Sequence, residues 1–402
     1  SVSVPEVQAS NIAYGSIPFD QPSPALPFQN RLLTCLETFN AFPALASSAM
    51  QDYNGSSSIL AEPLWREIRS AFEAISRNGL HPVPLGIAIA AGRHRLEAGH
   101  GLRTLELPIS KLASTRSFAI FFEQIATRIG DFQKHYNDVL MEYRKVHRIR
   151  RVAHPVPALR RDDRWYEMPF WIWSDASPSR QPLFIAKDGG TLTLSNRSDI
   201  ELHLDKSTLI QQLLAMDEAG IAIRTRALTT TMYSRLLLSD VFLHGIGGAK
   251  YDQLTDAIAG RFFAVQLPDY MTLSATCELP SDRTITRPVD VAAVKIKRRT
   301  LKFHPEALID NPPPEVAVLI ARKRVWFSGK NKDIRSKQKH EAIAEINQQL
   351  RTFVDISDRE LAETENLMRA KLREGQIVGS RDFSFCLFEE SLIERLTHLA
   401  AK

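Results

Sequence analysis

The chain has 402 residues, 44% of them hydrophobic and 24% charged, which is typical of a folded protein with two or three domains. No apolar run reaches the roughly 18 residues that cross a bilayer, which argues against a membrane protein or a membrane partner. The net charge of +5 is small for this length and does not by itself indicate nucleic-acid binding.

The first residues, SVSVPEVQAS, lack the basic head and apolar stretch of a secretory signal. The cysteines Cys35, Cys277 and Cys386 are far apart and form no CxxC motif. A sparse, odd number of cysteines suits a reducing compartment, so we expect a cytoplasmic location. Because the first residue is not Met, we expect either N-terminal processing or a fragment that lacks an N-terminal domain.

Residues 1–29 are rich in Pro and Ser and predict an extended segment, because Pro lacks an N–H donor and disfavours helix in the residue before it. Residues 30–160 predict a mainly helical region. Within it, EPLWREIRSAFEAISRNG predicts a helix that stops at Gly79. The apolar residues at helical spacing in that segment are Leu64, Ile68, Phe72 and Ile75.

Two more segments complete the helical region. PLGIAIAAG, residues 84–92, predicts a short buried strand, because apolar residues run together and a glycine closes the segment. Residues 110–151 predict a long amphipathic helix with a break near Gly130.

Residues 161–300 predict an α/β core. Its first part, residues 166–196, alternates apolar and polar residues between the turn signals DASPSRQ and DGG, which predicts a small antiparallel meander. Residues 208–279 then predict the order helix, strand, helix, loop, helix, strand, with YMTLSATCELP as the last strand. This alternation is typical of α/β folds.

Residues 301–402 predict a helical hairpin arm, a short strand and a final helix. The segments 336–355 and 356–375 have many charges and few apolar residues, which favours two antiparallel helices in a protruding, coiled-coil-like arm. The second helix begins with a capping box of Ser357 and Glu360. The strand and the final helix are predicted in RDFSFCLFEESLIERL. Such an arm would also allow oligomerisation.

FLHGIGGAKYD, residues 242–252, is the strongest candidate site. A Gly-rich turn that opens a helix exposes backbone N–H groups, and the helix dipole adds partial positive charge, so phosphate or carboxylate binds there readily. We assign a catalytic role to His244, Lys250 and Asp252. The predicted ligand-binding residues are Arg224, Arg226, Gly245, Gly247, Gly248 and Tyr251.

Arg224 and Arg226 lie two residues apart on a predicted strand, so they share a face and could clamp an anion. Charges on a plain surface strand explain the pair equally well. The Gly-rich segment also has a structural interpretation, a tight turn between helices with Tyr251 as a packing residue.

Known cofactor and metal motifs do not fit. A Walker A loop needs Gly directly before its Lys, whereas Ala249 precedes Lys250, and the dinucleotide fingerprint needs a strand before the glycines. The cofactor stays open, with a nucleotide as one candidate. His94, Glu97 and His100 are metal-binding residue types, but no further ligand is near in sequence and no metal site is assigned.

The order of an R-x-R-A-L strand end, HGIGGAKYD, AGRFFAVQLPDY and LSAT resembles the bacillithiol-biosynthesis cysteine-adding enzyme family, over roughly residues 220–375. The resemblance implies a Rossmann-like core with a coiled-coil arm, and a reaction that joins cysteine to a glucosaminyl-malate acceptor. The family's His-x-Gln-Pro stretch is absent, which implies that the first part of that fold is missing. The family's loop is also Gly-Gly-Pro-rich with a Glu, so the substrate identity does not carry over.

The sequence thus favours a ligase-like or transferase-like enzyme that binds an anionic, nucleotide-like or phosphosugar-like small molecule. One alternative is a nucleic-acid-binding module that uses the arm and the basic segments 144–164, 295–304 and 321–340. Another is a non-catalytic scaffold.

Overall fold

The computed structural model describes residues 1–8, 11–22, 26–54, 58–78, 82–149, 156–279, 286–327 and 336–400. The helices in these ranges are α1 (Leu36–Asn54), α2 (Ala61–Arg77), α3 (Leu85–Gly99), α4 (Ile109–Ala113), α5 (Arg116–Thr127), α6 (Ile129–Val146), α7 (Leu209–Ala215), α8 (Ala227–Leu237), α9 (Ile246–Phe263), α10 (Pro288–Phe303), α11 (Pro314–Phe327), α12 (Ser336–Arg351), α13 (Asp358–Val378) and α14 (Glu390–Ala400). The strands are β1 (Val2–Gln8), β2 (Asn11–Ile17), β3 (Arg161–Asp162), β4 (Trp165–Ser174), β5 (Gln181–Asp188), β6 (Thr191–Ser195), β7 (Glu201–Asp205), β8 (Ile221–Thr225), β9 (Phe242–His244) and β10 (Tyr270–Thr272).

The chain forms two compact units, each built from separate stretches of sequence. The first unit contains Ser1–Phe19, Glu37–Glu62 and Cys277–Lys402, and the second contains Asp20–Leu36 and Pro63–Thr276. This division differs from the four consecutive segments of the sequence analysis. The reason is tertiary: β1 and β2 form an antiparallel hairpin, and β2 packs against α13, which brings the two ends of the chain into one unit.

In the first unit, residues 336–375 do not form the predicted protruding hairpin. α13 packs along α10, and α12 packs against α11, so each helix buries its apolar face on a different neighbour. A small core of Val316, Ile346 and Leu350 joins α11 to α12. The few apolar residues of α12 and α13 are therefore sufficient for helical packing within the unit.

The observed ends of these helices agree only in part with the predicted ends. The capping box at Ser357 and Glu360 is confirmed, since each side chain accepts a hydrogen bond from the other's backbone N–H. α13 continues past Gly375 to Val378. The predicted strand before the last helix is wrong, because Phe385–Leu387 forms a turn of 3-10 helix.

The second unit contains the predicted antiparallel meander. Strands β3 to β7 pair in sequence order, and β8 pairs antiparallel with β4, which gives a six-stranded sheet. Alternate β4 residues Met168, Phe170 and Ile172 are fully buried in the main core, where the ring of Phe170 contacts Phe122 of α5. The mixed α/β class is confirmed.

A Rossmann-like core is not confirmed, because this sheet is antiparallel whereas Rossmann-like sheets are mostly parallel. Among the described strands, parallel pairing occurs between β9 and β10, with Phe242 opposite Tyr270 and His244 opposite Thr272. Helix α9 connects them in a single βαβ unit. The predicted strand over residues 270–280 is correspondingly short and ends at Thr272.

The helices that begin this unit follow the sequence in part. α2 matches its predicted helix, with Leu64 and Ile68 buried, and the predicted stop at Gly79 lies outside the described residues. The predicted break near Gly130 is confirmed, since α5 and α6 are separated at Arg128.

No helix among the described residues is long and apolar enough to cross a membrane.

The predicted strand over residues 84–92 is wrong, because these residues begin α3. Leu85, Ala88 and Gly92 are its buried residues, at the spacing of one helical face. A Cβ at Gly92 would lie 2.6 Å from the Ile68 backbone, so the glycine lets α3 approach α2 closely.

Candidate functional site

The segment predicted as a Gly-rich loop is the beginning of α9. The helix starts at Ile246, so Gly247 and Gly248 belong to its first turn and Gly245 is the N-cap. The glycines predicted to form a turn that opens the helix are thus partly inside it, and neither Gly247 nor Gly248 has a positive φ. Gly245 has no side chain that could accept a capping hydrogen bond, and no acidic residue lies in the first turn. The first N–H groups of the helix therefore have neither an intrahelical carbonyl nor a side-chain acceptor.

Gly248 provides space for His244. A Cβ at Gly248 would lie 2.6 Å from Nδ1 of His244, closer than non-bonded atoms approach, whereas a Cβ at Gly245 or Gly247 would meet no atom within 4 Å. The three glycines thus have different roles. Gly248 lets the imidazole lie against the helix, and the other two leave the helix start open.

We predict that Gly248→Ala destabilises the protein by about 1–3 kcal/mol, because the new methyl group displaces an imidazole held on its other side. Gly247→Ala is the matched control and should be neutral or stabilising by up to about 1 kcal/mol, since alanine favours helix and the space is open. Urea denaturation of both variants measures the difference. Equal effects of the two substitutions would contradict this role of Gly248.

His244 contacts a buried carboxylate. Its Nε2 lies 3.1 Å from Oδ2 of Asp252, although the N–H direction is not aligned for a hydrogen bond. The ring also packs edge-to-face on Phe242 and Tyr270. The side chain of Asp252 is 1% exposed, so this carboxylate lies behind the imidazole and away from solvent. Asp252 can orient His244, but the predicted direct catalytic contact of Asp252 with a ligand does not fit its burial.

Arg235 of α8 neutralises Asp252. Its Nη1 donates to Oδ2 of Asp252 at 2.6 Å and lies 2.8 Å from Oδ1 of Asp256. Its Nη2 donates to the carbonyl of Pro268, and its guanidinium lies 4.9 Å from the centre of the Tyr270 ring. The Arg235 side chain is 1% exposed, so this is a buried ion-pair network.

An open cleft of about 850 Å³ lies beside this network, towards the C-terminal end of α9. Arg235, Asp256, Asp269 and Tyr270 contribute to its lining. Burial raises the pKa of the Asp256 carboxyl, and the charge of Arg235 opposes that rise. The two carboxylates and the negative end of the helix dipole make this end of α9 unfavourable for an anion.

Lys250 and Tyr251, in the first turns of α9, differ in exposure. Lys250 is exposed, and its carbonyl accepts a hydrogen bond from the Tyr143 hydroxyl at 3.0 Å. Tyr251 is partly buried against the main core, which fits the packing role that the sequence also allowed. Because helical side chains tilt towards the N-terminus, Lys250 covers the turn that contains Gly247, three residues earlier.

Arg224 and Arg226 do not form a free anion clamp, because each already has a carboxylate partner. Both Nη atoms of Arg224 donate to Oδ1 of Asp217 at 3.2 Å. Nη2 of Arg226 donates to Oε1 of Glu167 at 2.7 Å, and its guanidinium lies 4.5 Å from the centre of the Trp171 ring. Their charges stabilise the edge of the sheet.

The outer face of the β9–β10 ribbon is apolar and open. Leu243 and Met271 are paired in register, and both point away from the face that carries His244. Leu243 is 58% exposed and Met271 is 56% exposed, and the flanking Val241 and Leu273 are similarly exposed. The polar helix start thus borders an accessible non-polar surface.

Sequence reasoning missed Arg235, Asp256 and Tyr270. A signal for Arg235 was present, since it follows the buried Leu228 and Met232 at the spacing of one helical face. A charged residue on an apolar stripe indicates a buried partner.

The residues of metal-binding type that the sequence contains near His94 have other partners. Nε2 of His94 lies 2.8 Å from the carbonyl of Thr104, and Glu97 pairs with Arg93. Within the described ranges, no group of three His, Cys, Asp or Glu residues is arranged to hold a metal ion.

No family model matches the chain, and no curated protein matches its sequence.

Proposed function

We propose that the N-terminal end of α9 binds an anionic small molecule and that the protein is a ligase-like or transferase-like enzyme. The observation that carries the proposal is the uncapped helix start: Gly245 and Gly247 leave open space, and no side chain accepts the first N–H groups. A phosphate or carboxylate oxygen would satisfy those donors and interact favourably with the helix dipole.

Four side chains complete the proposed site. Lys250, which is exposed and covers the first turn, would donate a charge-assisted hydrogen bond to the anion. His244 would transfer a proton at Nδ1, the ring atom that lies against Gly248. Asp252 and Arg235 would be positioning residues, because they are buried behind His244 and do not reach the ligand.

The open apolar face of the neighbouring ribbon would suit a ligand that also has a non-polar part. The reaction class follows from the resemblance to the bacillithiol-biosynthesis cysteine-adding enzymes and is part of the proposal, as are the Rossmann-like relationship and the open choice of a nucleotide cofactor. The substrate stays unassigned.

We predict that Lys250→Ala weakens binding of the anion about ten- to a hundredfold, because one charge-assisted hydrogen bond is lost. A thermal-shift screen of nucleotides, sugar phosphates and carboxylic acids supplies the ligand, and calorimetry with the strongest binder measures the loss. Lys134→Ala, which removes an exposed lysine of α6, is the matched control and should leave the affinity unchanged.

Three results would contradict the proposal. Lys250→Ala could lower the melting temperature while leaving the affinity intact, which would make the segment a structural turn. Alternatively, an RNA or DNA oligonucleotide could bind with an affinity that falls steeply with salt, which would favour the nucleic-acid alternative. A scaffold would bind none of these compounds.

A further inference from the structure

Helix α10 of the first unit has apolar residues on two opposite sides. Val291 and Leu301 are buried on the side that packs against α13. On the opposite side, Val289, Ile296 and Phe303 are 59%, 65% and 47% exposed. These three residues are seven apart, so they form one stripe along the helix that drifts by only about 20° per repeat.

The exposed stripe is narrow. It contains one large apolar residue for every two turns, and the small residues Ala292 and Ala293 lie between the first two. A coiled-coil seam has two positions per heptad; Val289, Ile296 and Phe303 fill one of them, and the small residues Ala293 and Thr300 fill the other, where they would let a second helix approach closely. Helices that lie in a membrane surface have a broader apolar face, so the stripe fits a helical partner better than a lipid bilayer.

A row of cations follows one edge of the stripe. Lys295, Arg299 and Lys302 are spaced by four and three residues, and all three are exposed. Within the described residues, none of the three forms an ion pair with a carboxylate, and Lys302 lies over the Phe303 ring. All three line an open cleft to which Asp358 and Glu365 of α13 also contribute, and the charge of Lys302 helps to lower the pKa of the Asp358 carboxyl. The one acidic residue of α10, Asp290, is paired with Arg287 in the capping box.

The charges decide the kind of partner. A second copy of α10 on the same stripe would bring cations close to cations, which destabilises helix pairs. A helix with Glu or Asp beside its apolar seam would instead place a carboxylate opposite each cation, and such pairs along the edge of a seam determine partner choice.

We propose that the outer face of α10 is a docking site for an acidic amphipathic helix of a partner protein. The site lies in the first unit and is independent of the anion site at α9. Val289, Ile296 and Phe303 form the apolar seam, and Lys295, Arg299 and Lys302 select the acidic partner.

A pair of synthetic helical peptides tests this proposal on the intact chain. Both contain three heptads with Leu in the seam; one has Glu on both edges and the other has Lys. Fluorescence anisotropy at low salt measures the affinity of each peptide for the protein. The Glu peptide should bind, and the Lys peptide should bind at least roughly tenfold more weakly. Ile296→Asp should weaken binding of the Glu peptide by a similar factor. The melting temperature of this variant should equal that of the wild type, because Ile296 is exposed.

Reversal of the charges in the cation row gives the most direct test of the proposal. The variant Lys295→Glu/Arg299→Glu/Lys302→Glu should prefer the Lys peptide, whereas Lys371→Glu, a surface control on α13, should behave as the wild type. Failure of the Glu peptide to bind, or an unchanged preference in the reversed variant, would overturn the proposal. So would an Ile296-dependent dimer in light scattering, an Ile296-dependent association with anionic vesicles, or RNA binding that needs the cations but not Ile296.

Discussion

Replacement of Arg235 by methionine is expected to lower the free energy of unfolding by about 3–5 kcal/mol at neutral pH, the usual cost of removing one partner from a buried ion pair. Arg235 and Asp252 have side chains that are each 1% exposed. Methionine fills much of the volume but leaves Asp252 charged, without its main donor and without water. Urea denaturation of the wild type and the variant measures the loss.

Two companion variants separate this effect from a general loss of charge. Arg261→Met removes an ion pair with Glu142 that lies at the surface, and its effect should be much smaller. Arg235→Met/Asp252→Leu removes both buried charges and should recover part of the stability, because an apolar pair avoids the unpaired carboxylate. An Arg235→Met variant as stable as Arg261→Met would show that water reaches Asp252.

The elements that could be predicted from sequence are those with a strong local pattern. The meander has strand-forming residues between clear turn signals, although β4 buries seven of its ten residues rather than alternate ones. The helix predicted after the Gly-rich segment has Leu254, Ile258 and Phe262 at helical spacing, and all three are buried in the main core. The capping box at Ser357 needs only residues within one turn, so tertiary structure did not alter it.

The errors arose where a short pattern fits two structures. GIAIA is a short apolar run that fits a buried strand or a helix, but the residues around it are mostly alanine and other helix formers, and α3 extends them to Gly99. Gly247 and Gly248 suggested a loop because glycine weakens helix. The structure shows that close packing of His244 determines the second of them, and sequence spacing does not reveal such a contact.

The candidate site depends on pairs that are distant in sequence. Arg235 and Asp252 are 17 residues apart on two helices, and Arg226 and Glu167 are 59 apart. A sequence shows which charges are present but not which carboxylate each arginine meets. Arg224 and Arg226 therefore looked available for a ligand, whereas each already binds a carboxylate of this unit.

The second large expected effect on the free energy of unfolding comes from replacement of Glu167. This buried carboxylate of β4 accepts hydrogen bonds from the backbone N–H and Nε of Arg160 through Oε2 and from Arg226 through Oε1. Burial by itself raises the pKa of the Glu167 carboxyl, but the hydrogen bonds from Arg160 and Arg226 outweigh burial and bring the pKa below its ordinary value. The charged form is thus the one that the fold stabilises.

Glu167→Gln should lower the free energy of unfolding by about 2–4 kcal/mol at pH 7, because Arg226 keeps its charge but loses its carboxylate. The pKa in the folded protein lies below that in the unfolded chain, so the contribution of Glu167 is complete above the unfolded value of about 4.3 and disappears as the pH falls through the folded value. The difference between wild type and variant in urea denaturation should therefore shrink below that pH. Glu142→Gln, at an exposed pair with Arg261, is the control and should change stability much less at pH 7. A Glu167→Gln difference that is the same at pH 7 and in acid would mean that hydrogen-bond geometry, and not the carboxylate charge, stabilises this edge of the sheet.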